Sequence, residues 1–170
     1  MSYRASRDHE ELRARADAQL ERLDLPADVE LDDIVRRVAS ATGKRIDIEP
    51  VGDRDWENIT GLVLLTGESA KILVRKSDPR WYQFHTVLHE LSHVLFEHAG
   101  CATLPQHPGS RHVRAGQTVL ARGIVTPDFE LDLDFEDTEL VIEAEAEKLS
   151  QLLSRLLLRP RHGQDEAVFG

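Results

Sequence analysis

Residues 89–93 read His-Glu-Leu-Ser-His, inside a stretch whose spacing predicts a helix from Asp78 to about Glu97. Two histidines four apart on a helix are turned by about 40° from one another, so both imidazoles can reach one metal ion. Glu90, directly after the first histidine, then lies beside a water held by that ion and can take its proton. In such an arrangement zinc and a general base together generate hydroxide at neutral pH and direct it at a carbonyl. The flanking residues Val87, Leu88, Leu91, Val94 and Leu95 are apolar, which places the motif in a buried rather than a solvated helix.

A catalytic zinc usually keeps three protein ligands and one open position. The helix expected after Thr138 offers Glu139, Glu143, Glu145 and Glu147 for the third. Glu139, Glu143 and Glu147 are four apart and share a face, whereas Glu145 points elsewhere. Glutamates on a helix most often form a solvated stripe. Here Val141, Ala144, Leu149, Leu152 and Leu153 bury much of the same helix, which narrows the solvated share.

These side chains must be held by the rest of the chain. Residues 8–24 have helical spacing, with Leu12, Ala16, Leu20 and Leu23 on one stripe, and Pro26 closes that helix. A second amphipathic run from Leu31 to Ala41 carries Leu31, Ile34, Val35 and Val38, and Gly43 ends it as a C-terminal cap. Residues 45–48 alternate as a short strand. Thr60 to Leu65 and Lys71 to Arg75 read as two further strands, joined as a hairpin by the turn residues Thr66, Gly67, Glu68 and Ser69. Ser77-Asp78-Pro79 predicts a helix start, with proline at the first helical position. Trp81, Phe84, Leu88, Leu91 and Leu95 recur at helical intervals, and Gly100 is the expected stop. Residues 101–135 read as irregular, with an acidic-apolar alternation from Asp128 to Glu136 that suits an edge strand or an extended loop. The pattern is helical again from Thr138 to Leu158, and Pro160 with Gly163 opens a polar tail expected to be mobile. The expected fold class is therefore α+β, with two long helices packed side by side under a small sheet.

At 170 residues the chain suffices for one well-buried domain and is short for two. Its 41% apolar and 31% charged content suits a soluble globular protein, and the net charge of −10 argues against non-specific nucleic-acid binding. The lone Cys101 cannot form an internal disulfide. No segment has signal-peptide character or approaches the roughly 18 apolar residues of a membrane span. The expectation is a cytoplasmic protein without membrane contact.

The blocks WYQFHTVLHELSHVLFEH (81–98) and EAEAEKLSQLLSRLLLRP (143–160) resemble the ImmA/IrrE family of small zinc metallopeptidases. Phe84, His89, Glu90, Leu91 and His93 match that family's first helix, and Glu143, Ala146 and Leu149 its second. Gly61 and Ile72-Leu73-Val74 fall where the family carries its sheet, so the resemblance spans about residues 30–160. Ser92 stands for the usual glycine, His85 interrupts the usual Phe-Thr pair, and Leu149-Ser150 replaces Phe-Ala.

The resemblance implies a zincin-like domain over 29–160, and the residues outside it read as an N-terminal helical arm (1–28) and a flexible tail (161–170). It implies Zn2+ held by His89, His93 and Glu143, with Glu90 as catalytic base. Glu147 is placed to accept the free N–H of a ligand histidine, and His85, one turn before His89, is a second candidate for support at the pocket. Tyr82, His112 and Arg114 are oxyanion-stabilising candidates by residue type. The expected activity is zinc-dependent endoproteolysis of a regulatory partner protein, a helix-turn-helix repressor being the family's usual target. The alternative is a zinc-stabilised binding module that sequesters its partner as an antirepressor or antitoxin-like component. The segment 101–135, between the ligand helices, is the natural substrate-facing element.

Overall fold

The computed structural model describes residues 2–52, 59–98, 118–123 and 138–159. Its elements in chain order are α1 (Ser2–Leu23), α2 (Leu31–Thr42), β1 (Arg45–Val51), β2 (Ile59–Leu65), β3 (Ser69–Arg75), α3 (Arg80–Phe96), β4 (Thr118–Gly123) and α4 (Thr138–Leu157). The α+β class holds. None of the described helices is long and apolar enough to cross a membrane. The acidic alternation at 128–136, Cys101, His112, Arg114 and the tail beyond Arg159 lie outside the described residues.

The sheet is mixed, in the order β1-β3-β2-β4. β2 and β3 form the expected antiparallel hairpin, β4 adds antiparallel to β2, and β1 adds parallel to β3. Thr66 closes the hairpin turn: its amide donates to the Ser69 carbonyl at 2.8 Å, and its hydroxyl accepts from the Ser69 amide at 2.9 Å. β4 corrects the reading of residues 118–123 as irregular. Its six residues, TVLARG, hold an apolar run of only three, too brief to register as a strand before its partner β2 is known.

α3 packs across β2 and β3 on one side and against α4 on the other, while α1 packs on α4 and α2. One core cluster joins all these layers through Ala16, Leu23, Ile34, Val38, Val63, Ile72, Val87, Leu91, Leu149 and Leu153. α1 is thereby part of the packed domain through its Leu12, Ala16 and Leu23 stripe. Gly43 ends α2 at φ 68°, in the left-handed region where glycine carries no Cβ penalty.

Both ends of α3 differ from expectation. Pro79 is the residue before the helix rather than its first residue, and its carbonyl accepts from the Tyr82 and Gln83 amides at 2.9 and 3.0 Å. The helix stops at Phe96, ahead of Gly100. Glu97 takes the left-handed conformation (φ 56°), its amide returning to the Val94 carbonyl and that of His98 to the His93 carbonyl, both at 3.2 Å. This is a Schellman closure without the usual glycine. Trp81 and Phe84, expected on the core stripe, are instead 71% and 40% exposed. They line an 810 Å³ cleft with Leu31, Leu88 and Leu157.

Candidate metal centre

α3 is buried on all sides from Thr86 to Leu95. A helix of that kind normally carries only apolar residues, because an unpartnered ionisable group away from water is costly. Here His89, Glu90 and His93 are each at most 2% exposed, amid Leu88, Leu91 and Val94. Such a concentration of donors in a core needs partners of matching chemistry.

The partners come from α4, which runs alongside. His89 Nε2 and His93 Nε2 lie 3.0 Å apart. Glu143 closes the triangle, with Oε2 3.3 Å from His89 Nε2 and Oε1 3.4 Å from His93 Nε2. Zinc bound at about 2.0–2.2 Å by nitrogen and oxygen in tetrahedral geometry sets its donor atoms roughly 3.3–3.5 Å apart. The two separations to Glu143 fall at that spacing, and the two imidazole nitrogens lie somewhat closer together. Together these side chains could hold a metal ion, with both histidines buried and Glu143 half-exposed.

Glu147 Oε2 lies 3.4 Å from His89 Nδ1 and 3.7 Å from His85 Nε2, so its carboxylate sits between the two histidines. An Nδ1–H directed at Glu147 leaves the His89 Nε2 lone pair facing the triangle. His85 is partly buried, on the far side of Glu147 from His89. Of the other glutamates considered on α4, Glu139 has a described backbone only. Tyr82 packs edge-on against Trp81, with ring centroids 5.5 Å apart.

Glu90 faces the sheet. A Cβ built on Gly61 of β2 would come within 2.8 Å of Glu90 Oε1 and collide with the Thr86 methyl. The glycine is therefore the space in which the Glu90 carboxylate lies. Ser92 is fully buried and returns its hydroxyl to the Leu88 carbonyl at 2.8 Å. Its one small polar group is thus satisfied within the helix.

Sequence reasoning missed a second set of contacts. His93 Nδ1 lies 2.9 Å from His98 Nδ1, and His98 Nε2 lies 3.0 Å from Glu145 Oε2. Arg15 of α1 donates to Glu145 Oε1 at 2.6 Å and to Glu11 at 2.6 Å. Both carboxylates hold the Arg15 guanidinium above its ordinary pKa. Burial favours the neutral His98 imidazole and pushes it below the usual histidine value, against the opposing pull of the Glu145 carboxylate. His98 also stacks on Phe96, with centroids 5.0 Å apart and planes 3° from parallel. The available signal was a histidine five residues past His93, beyond the helix end, where face-counting along a helix does not apply.

Comparison with protein-family models, with curated proteins and with solved structures finds no match, so the functional reading stands on this geometry and on the sequence motifs.

Proposed function

We propose that the chain is a zinc-dependent endopeptidase, acting on a regulatory protein in the manner of the ImmA/IrrE family that its two helices resemble. The observation that carries this reading is the convergence of His89, His93 and Glu143 within coordinating distance, next in sequence to a buried glutamate. A purely structural zinc site would need four protein ligands and no adjacent base; three ligands and a glutamate suit catalysis.

Zinc in this triangle supplies Lewis acidity, lowering the pKa of water and polarising a peptide carbonyl. His89 and His93 contribute neutral Nε2 lone pairs, and Glu143 a negative charge. Glu90 receives the proton of the attacking water and returns it to the departing amine, so the C–N bond breaks as water is added across it. Gly61 gives that carboxylate its place, and Glu147 keeps the His89 imidazole in the ligating tautomer. The expected substrate is a cytoplasmic repressor, with which a chain of net charge −10 has favourable long-range attraction if the target is basic.

The test is a proteome-derived peptide library incubated with zinc-loaded wild type, with new N-termini read by mass spectrometry. Cleavage lost with chelator and in Glu90→Gln, while that variant still binds zinc, is the expected result. Equal cleavage by Glu90→Gln would contradict the mechanism. Zinc binding without any cleavage in wild type would favour the sequestering module instead.

A further inference from the structure

We infer that His98 and Glu145, anchored by Arg15 of the N-terminal helix, are positioning residues that fix the tautomer and ring orientation of His93 for metal binding. The inference rests on the metal-site reading above and adds to it a support that reaches α1.

The hydrogen-bond directions follow from the two ends of the chain of contacts. Arg15 only donates, so Glu145 Oε1 accepts at 2.6 Å. An ionised Glu145 likewise accepts at Oε2, so His98 Nε2 carries the hydrogen of its 3.0 Å contact. A neutral His98 then has a bare Nδ1, which can only accept. His93 Nδ1 must therefore donate across 2.9 Å, and its Nε2 lone pair is left facing His89 Nε2 and Glu143. Every proton in the series has one consistent place.

Geometry fixes the orientation as well. His98 and Glu145 have side chains only 7% and 8% exposed, so neither competes with water for its partner. The turn at Glu97 folds His98 back onto the helix it has just left, and Phe96 stacks on its ring. The His93 and His98 ring planes are inclined at 68°, with the two Nδ1 atoms 2.9 Å apart, within hydrogen-bonding distance. Glu147 supports His89 from one side of α4, and Glu145 supports His93 through His98 from another. α1 is thereby tied to the metal centre and not only to the core.

The experiment titrates Co2+ into metal-free wild type, His98→Phe, His98→Asn and Arg15→Met, following the visible d–d absorption and, separately, the thermal unfolding of each metal-free protein. Phenylalanine keeps the stack on Phe96 but offers His93 no acceptor, whereas the asparagine carbonyl can replace the Nδ1 acceptor. The expected order of Co2+ affinity is wild type, then His98→Asn, then His98→Phe. Loss of the acceptor should cost about 10–100-fold, with a shifted absorption band. Arg15→Met, at a half-exposed position, should fold normally and lose a smaller, measurable part of the affinity; if His98→Phe does not fold, that variant decides. Wild-type affinity and spectrum in His98→Phe, or in Arg15→Met where His98→Phe does not fold, would overturn the inference even if apoprotein stability fell. Absence of Co2+ binding by wild type would instead overturn the metal site on which it rests.

Discussion

Gly61 of β2 and Glu90 of α3 approach so closely that a Cβ at position 61 would lie 2.8 Å from Glu90 Oε1. Gly61→Ala therefore forces the carboxylate, the Thr86 methyl or the strand to move. Overpacking of this kind costs about 1–3 kcal/mol. Misplacing a base by an ångström costs on the order of 100-fold in rate. The expected variant binds zinc as wild type does but cleaves library peptides far more slowly. Unchanged cleavage would show that Glu90 is not the working base.

Glu97 holds a left-handed conformation without being glycine. That geometry costs an ordinary residue about 1–2 kcal/mol, against the extra chain entropy that glycine loses on folding. Glu97→Gly should leave the metal site intact and raise stability by up to about 1 kcal/mol, read as a Tm increase of a few degrees. A fall in Tm would mean that the Glu97 side chain makes a stabilising contact outweighing the strain.

At the start of α2, Asp33 accepts from the Glu30 amide at 2.9 Å and pairs with Arg36 at 2.5 Å. These contacts, the backbone bond first, hold its carboxyl below the ordinary aspartate value. A carboxyl with a depressed folded-state pKa stabilises the fold above its unfolded value of 3.8 and loses that contribution as pH falls through the folded value. The stability difference between wild type and Asp33→Asn should therefore be present at neutral pH and shrink below pH 4. Denaturant unfolding of both proteins across that range checks it, and a difference independent of pH would contradict the assignment.

The half of the site that lies on one helix was legible in the sequence, because i,i+4 geometry belongs to any α-helix and His89 and His93 needed nothing else. Glu143 depends on how α4 is registered against α3, which no local spacing encodes, so only the resemblance singled it out from Glu139 and Glu147. The contact between His98 and Glu145 was invisible for the same reason, compounded by the turn at Glu97 that takes His98 off the helical lattice. Trp81 and Phe84 show a related limit. They have the period of a core stripe, yet the cleft between the start of α3, α2 and the end of α4 leaves them exposed. In the sheet, the hairpin turn announced itself through Thr66 to Ser69, while β4 needed β2 as a template.

The central claim is that one metal ion is held jointly by α3 and α4, and metal analysis of purified wild type beside Glu143→Ala tests it most directly. Glu143 is half-exposed, so its loss should leave the metal-free fold within about 0.5 kcal/mol of wild type, as for most surface substitutions. The account predicts equimolar zinc in wild type, little or none in Glu143→Ala, and a Tm that chelator lowers only in wild type. Absence of zinc from wild type, or equal zinc in both proteins, would contradict it.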